Sequence, residues 1–186
     1  MRSFEFARAK TENGFSEEKA YDEARLPEYQ TKHSGAADFF CAERVVVPSI
    51  WRQAIQGFKL DKSRRFLVVS KNHFLDICPT LVHTGIRAQM EDDEVLKIYS
   101  RSSGPKKLGL VLANSTGIID KDYYGNEDND GEIMFAFYNF KFTDVTLNPG
   151  DRIGQGMFCK VLRPTEGLVI KDDHRKGGFG STDKEV

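Results

Sequence analysis

The sequence predicts an all-β protein, a sandwich or barrel of short strands. Short runs of β-branched and aromatic residues recur along the chain, turn residues separate them, and no helical period is sustained after residue 30. The elements follow in order. Phe4 and Phe6 alternate with polar residues and predict a first strand. Residues 16–25 are charged and suit either a short helix or an extended arm, which Leu26-Pro27 ends. Residues 44–48, 65–70, 80–88, 95–99 and 108–112 read as strands, residues 133–140 as an aromatic-rich strand, and residues 152–162 as a long last strand after the turn Asn148-Pro149-Gly150. Residues 49–61 read as a surface insertion, the acidic residues 91–94 as a solvated turn, and residues 126–131 as a hairpin loop. The chain shows no linker and no repeat.

At 186 residues the chain is long enough for one hydrophobic core, and its net charge of −1 gives no basic field for long nucleic acid. A small anion held by a few placed cations remains open. No apolar run approaches membrane-spanning length and no signal-peptide pattern opens the chain. Cys41, Cys78 and Cys159 are odd in number, widely spaced and form no CxxC, so they read as reduced thiols of a cytoplasmic protein without a zinc site. His33, His73, His83 and His174 are scattered and read as surface or core residues.

Five segments carry chemistry. In Ser34-Gly-Ala-Ala-Asp38 a lone acid follows small residues, which suits a turn acceptor or a carboxylate holding water of a magnesium shell. Ser100-Arg101-Ser102-Ser103-Gly104 sets an Arg fork beside hydroxyls and free amides, fit for phosphate or for a Ser-rich turn. Asn114 to Gly125 is the densest: Gly117 and Gly125 bracket a potential hairpin whose backbone can meet a base edge, Asp120 follows Ile118 and Ile119 as a semi-buried carboxylate able to act as a base, and Tyr123 can face a sugar. In Gly150-Asp-Arg-Ile-Gly-Gln155-Gly-Met157, alternation puts Ile153, Gln155 and Met157 on one face. If that face is the core, Gln155 needs a polar partner, for which a phosphate or its water serves. The tail Arg175-Lys-Gly-Gly-Phe179-Gly180-Ser181-Thr182 has too much glycine to pack a core. It is either a polar terminus or a phosphate cradle with a ring for stacking on a base.

These segments, in this order over roughly residues 25–183, resemble the trimeric dUTP pyrophosphatases (dUTPases). Ile119-Asp120-Lys-Asp-Tyr123-Tyr-Gly125, Gly150-Asp-Arg-Ile-Gly-Gln155 and Gly177-Gly-Phe-Gly-Ser-Thr182 are the specific matches; Arg101-Ser102-Ser103 is less exclusive and Gly35-Ala-Ala-Asp38 the loosest. The resemblance implies a distorted jelly-roll β-barrel over residues 1–174, with an N-terminal arm of about residues 1–32, and a lid arm at residues 175–186. It implies a homotrimer with active sites at the interfaces between chains, and hydrolysis of dUTP to dUMP and pyrophosphate with Mg²⁺. The biological result is less uracil in DNA and more dUMP for thymidylate synthesis.

By the same resemblance Asp120 activates the water. Asn114, Gly117, Ile118 and Ile119 belong to the uracil-reading hairpin, Tyr123 lies beneath deoxyribose, Met134 lines the pocket, and Phe179 stacks on uracil. Arg101, Ser102, Ser103, Gln155, Arg175, Gly180, Ser181 and Thr182 contact phosphates, and Asp38 meets magnesium through water. Four departures stand out. Arg175 precedes Phe179 by four residues where the family often has five, a place His174 holds; Tyr124 and Asp183 replace commoner residues; and the insertion with Trp51 and Phe58 has no counterpart in short members. Two rivals follow. A dCTP-deaminase-type enzyme calls for a Glu where Ala136 stands, three residues before Asn139. A nucleotide-gated regulator would bind dUTP and engage a protein partner through residues 49–61.

Overall fold

Short strands of this kind are stable only when distant parts of the chain pair with them, and every ladder here is antiparallel. A computed structural model of the chain describes residues 1–56, 58–61, 66–69 and 77–167. The N-terminal residues do not form a free arm. β1 (Ser3–Phe6) is a strand, as the Phe alternation predicts, and β2 (Arg8–Thr11) folds onto β3 (Gly14–Lys19). Of the two alternatives for residues 16–25, the extended one holds through Lys19.

β4 (Ala37–Phe40) and β5 (Val45–Val47) follow, then α1 (Ile50–Gln56), β6 (Phe58–Asp61) and β7 (Phe66–Val69). The seven-residue α1 lies where no helix is expected from sequence, because two turns are too short to show a period. Inside the insertion its Trp51 donates from Nε1 to Phe140 O at 3.1 Å and stacks on Phe142 with centroids 5.7 Å apart. The single strand predicted over residues 80–88 is two, β8 (Thr80–His83) and β9 (Ile86–Gln89). Gly85 between them has φ +65°, and a side chain there would come within 2.7 Å of Ala24 Cβ. β9 pairs with β1.

The remaining strands are β10 (Glu94–Ser100), β11 (Leu110–Leu112), β12 (Thr116–Asp120), β13 (Met134–Asn139), β14 (Val145–Leu147) and β15 (Arg152–Lys160). The Arg-Ser-Ser segment runs from β10 into a π-helical turn, Gly104–Leu108. Glu94 corrects the reading of residues 91–94 as a solvated turn. It is buried and accepts from Arg2 Nε at 2.6 Å, a partner 92 residues away that no local pattern announces.

A four-stranded sheet in the order β12-β10-β15-β4 faces a three-stranded one, β11-β13-β8. Between them lie Phe39, Leu96, Ile98 and Ile153 from the first and Phe135, Phe137, Val82 and Leu112 from the second. β15 has a bulge between Arg152 and Gly154, so the simple alternation predicted for its face fails. Ile153 enters the core through the bulge, and after it Gly154 and Gly156 face inward while Gln155 turns to the other side. The two glycines leave room for rings: a Cβ on Gly154 would sit 1.9 Å from Phe135 Cε1, and one on Gly156 2.6 Å from Phe39 Cε2. Gly154→Ala is therefore expected to cost about 3 kcal/mol, the upper range for forcing atoms into a packed core. Urea unfolding of the variant beside the wild type measures it.

Candidate active site

Register across the four-stranded sheet brings three of the sequence-predicted residues together. On β15, Gln155 lies opposite Asp38 of β4 on one side and Tyr99 of β10 on the other, and Arg101 follows two residues after Tyr99. Asp38, 1% exposed, is the hub. Its Oδ1 accepts from Gln155 Nε2 at 3.0 Å and lies 3.3 Å from Arg101 Nε as an ion pair. Its Oδ2 is 3.3 Å from an Arg152 terminal nitrogen, which also donates to Gln30 Oε1 at 3.1 Å. Gln155 needs a polar partner, and the bulge turns its amide toward one, the Asp38 carboxylate.

Beside this hub opens a cavity of about 430 Å³ lined by Arg101, Ser102, Ser103, Lys107, Asp151 and Arg152. Three cations against one carboxylate suit a polyanion. Lys107 was not singled out from sequence; Arg152 stands at a strand start, where an ion pair or hydrogen bond is the common role, and it pairs with Asp38. No local pattern marks Lys107, because the π-helical turn that carries it to the cavity is too short to show a period.

Asn114 to Tyr123 is not the hairpin expected from Gly117 and Gly125. β11 pairs with β13, whereas β12 crosses to the other sheet and pairs with β10. The crossing is made at Ser115, with φ +56°, and Gly117 is needed because a Cβ there would strike Ile98 Cγ1 at 2.5 Å. β12 is an edge strand, and among the described residues no strand pairs with its outer side. An outer edge offers backbone N–H and C=O groups, what reading a base requires. Ile118 is 48% exposed there, while Ile119 packs against the core. Asp120 ends the strand half-buried. Lys121–Tyr123 forms one 3₁₀ turn, and Tyr123 is buried, its hydroxyl donating to Glu132 O at 3.1 Å. Met134 starts β13 opposite His83 of β8.

The register also keeps two groups apart. Asp120 lies opposite Val95, and Arg101 comes six residues further along, so within one chain their backbones are about 20 Å apart at a strand rise of about 3.3 Å per residue. The chain gathers Asp38, Arg101 and Gln155 at one end of the sheet and places Asp120 and Tyr123 at the other.

A family model described as dUTPase matches residues 45–183. The chain belongs to the dUTPase family. Its relatives in the family include the deoxyuridine 5'-triphosphate nucleotidohydrolase of Lactococcus lactis, 46% identical over 102 residues, covering 55% of this chain and 68% of that protein. Another, from Hydrogenobaculum, is 30% identical over 167 residues, covering 88% of this chain and 94% of that protein. The crystal structure of dUTPase from Streptococcus mutans superposes with a TM-score of 0.64 at 32% identity, over 88% of this chain and 98% of that one. The dUTPase of phage phi11 of S. aureus superposes with a TM-score of 0.58 over 93% and 98%, and at 16% identity shows the fold alone. The all-β jelly-roll class read from the sequence holds.

Of the dUTPase motif residues, Arg175, Phe179, Gly180, Ser181 and Thr182 lie outside the described residues. Among the described residues no group of three or more metal-ligating side chains converges. Asp38 keeps acceptor capacity on Oδ2, where its Arg152 contact is long, and this donor set fits a water in the outer shell of Mg²⁺ and not a direct ligand. Cys41, Cys78 and Cys159 are free, and burial pushes the Cys41 thiol up to about 11. No helix of the described residues is long and apolar enough to cross a membrane.

His83, behind this region, is half-buried, with Nδ1 3.0 Å from Glu132 Oε2. The Glu132 hydrogen bond raises its pKa by more than burial lowers it. A raised folded pKa gives stability that is present in full below the unfolded value of about 6.5 and is lost as pH rises through the folded one. Wild type is therefore expected to lose part of its stability advantage over His83→Gln between about pH 5.5 and about pH 8.5. Urea unfolding of both proteins at the two pH values checks it, and an equal advantage at both would rule the pair out as the cause.

Proposed function

We propose that the chain hydrolyses dUTP to dUMP and pyrophosphate in sites shared between three copies. The convergence of Asp38, Arg101 and Gln155 beside a cation-lined cavity carries this reading, together with family membership. The shared site draws support from the register. A backbone separation of about 20 Å along the sheet between Asp120 and Arg101 favours a reading in which Asp120 acts on a nucleotide whose phosphates another copy holds.

In this reading Asp120 takes a proton from a water in line with the α-phosphorus. The water oxygen bonds to that phosphorus and the bridging bond to the β-phosphate breaks, so pyrophosphate leaves. Arg101, Ser102, Ser103 and Gln155, with Lys107 and Arg152 beside them, hold the phosphate chain and stabilise its charge. Asp38 fixes Arg101 and Gln155 and accepts from a water of Mg²⁺. The metal, when bound, neutralises charge on the phosphates. The outer edge of β12, from Asn114 through Gly117, Ile118 and Ile119, reads uracil's acceptor–donor–acceptor edge, and Met134 lines the same pocket. Tyr123, with its hydroxyl turned inward, is a rigid floor for the sugar and leaves no room for a 2′-hydroxyl. A third copy lends residues 175–186 as a lid, with Phe179 on the base and Arg175, Gly180, Ser181 and Thr182 on the phosphates.

The deaminase alternative finds no acid where it needs one, since Ala136 is buried in β13 opposite Leu81. The regulatory alternative draws support from one observation, the stacked and exposed Trp51 and Phe142 beside the insertion. Purified protein with Mg²⁺ and each of dUTP, dCTP, dTTP and UTP, read for pyrophosphate and ammonia together, separates the three readings. Asp120→Asn is expected to keep nucleotide affinity and lose at least about 100-fold in turnover; near-normal turnover would refute its role. Deleting residues 175–186 is expected to leave a folded trimer with little activity, and a fully active truncation would end the lid assignment.

A further inference from the structure

The loop that follows Tyr123 is built far more tightly than a solvated hairpin loop needs to be. Asn126 donates from Nδ2 to Tyr123 O at 2.8 Å and accepts the Asp128 and Asn129 amides on Oδ1 at 3.0 and 3.1 Å. Asn129 Nδ2 donates to the Tyr123 hydroxyl at 2.8 Å. The tyrosine is thus held at its carbonyl and at its hydroxyl by two side chains of one loop. The loop returns on itself through Asp130, whose amide donates to Asn126 O at 3.0 Å and whose carbonyl accepts from Gly125 at 3.1 Å. Asp130 has φ +57°, in the left-handed region that aspartate and asparagine enter more readily than other non-glycine residues, and Gly131 behind it leaves no room for a Cβ, which would lie 2.6 Å from Tyr123 O.

What holds Asp130 in that conformation comes from elsewhere. Its carboxylate is fully buried and receives Arg8 three times, from the backbone N–H at 2.9 Å, Nε at 3.0 Å and a terminal nitrogen at 2.7 Å. Arg87 of β9 reaches both oxygens at 2.8 Å. Burial alone would push this carboxyl up; the Arg8 hydrogen bonds and the Arg87 charge outweigh it and hold it below the usual carboxylate range. Arg8 lies in β2 of the N-terminal hairpin, 122 residues from Asp130, and has no part in the phosphate cavity.

We propose that Arg8 and Asp130 are positioning residues for sugar recognition: the N-terminal hairpin clamps the loop of residues 124–132, and the loop fixes Tyr123. This deepens the function proposed above and rests on the sugar-facing role given there to Tyr123. The clamp acts on which sugar is admitted and leaves the phosphate-end chemistry to other residues. A tyrosine that can retreat makes space for a 2′-hydroxyl, so weakening the clamp lets UTP in.

The test uses the full chain with Mg²⁺ and compares wild type, Arg8→Ala, Arg8→Lys and Asn129→Ala on dUTP and UTP. Arg8→Ala keeps the backbone bond to Asp130 and the Arg87 pair. The ratio of kcat/KM for dUTP to that for UTP is expected to fall about tenfold in Arg8→Ala and Asn129→Ala, while kcat on dUTP stays within about threefold. Arg8→Lys, which keeps the charge without the fork, recovers part of the ratio. A ratio unchanged in folded Asn129→Ala, or in folded Arg8→Ala, overturns the proposal, as does a uniform fall in turnover on both nucleotides. Amide exchange over residues 121–131 separates this failure from failure of the function itself. Faster exchange there in Arg8→Ala upholds the clamp whatever the substrate, and unchanged exchange overturns it. A wild type that turns over no dUTP refutes the function alone.

Discussion

A buried carboxylate has to be surrounded by donors, and the one at Asp38 sets the order of the cation-lined end of the sheet. Gln155 and Arg152 reach it from the neighbouring strand β15, and Arg101 from just past the end of β10. Such a cluster is weak as a source of net stability, since desolvation offsets most of the attraction. Its effect is to specify. Gln155 can face Asp38 only if the bulge at Ile153 reverses the strand, and the bulge is tolerated only because Gly154 and Gly156 let Phe135 and Phe39 close over the inner face. Cation placement, strand register and ring packing are one arrangement seen from three sides.

The same sheet that gathers Asp38, Arg101 and Gln155 also sets the distance to Asp120. Strands are stiff, and a seven-residue β10 separates what it carries at its two ends. The edge position of β12 then has a purpose that an interior strand could not serve, because only an outer strand has backbone groups to offer. A single chain holds the Asp38 cluster and Asp120 at opposite ends of one sheet.

The sequence was legible where a local pattern decides the outcome. Alternation at Phe4 and Phe6, the β-branched run at Val45–Val47 and the aromatic run of β13 all mark strands. The order of the motifs around Asp38, Arg101, Asp120 and Gln155 marked the family, and three of these residues lie in contact at one end of the sheet. What could not be read rests on partners far along the chain or on departures from period. Glu94 looked solvated because Arg2 is 92 residues away, and the loop of residues 126–131 looked idle because its cations come from β2 and β9. Alternation puts Ile153 and Gln155 on one face, and they part because a bulge of one residue has no signature in alternation. The α1 helix and the π-helical turn are too short to impose a period.

The bond between Arg8 and Asp130 spans 122 positions, and β1 closes on β9. A ribosome therefore releases the first hairpin long before the carboxylate that seats it has been made. Loop-closure entropy of this size is met late, and topologies dominated by such distant pairings mature in milliseconds to seconds rather than microseconds. The N-terminal strands are made first and wait for partners made much later. Until β9 is made the edge of β1 is unpaired, and an unpaired edge exposes a nascent chain to pairing with its neighbours.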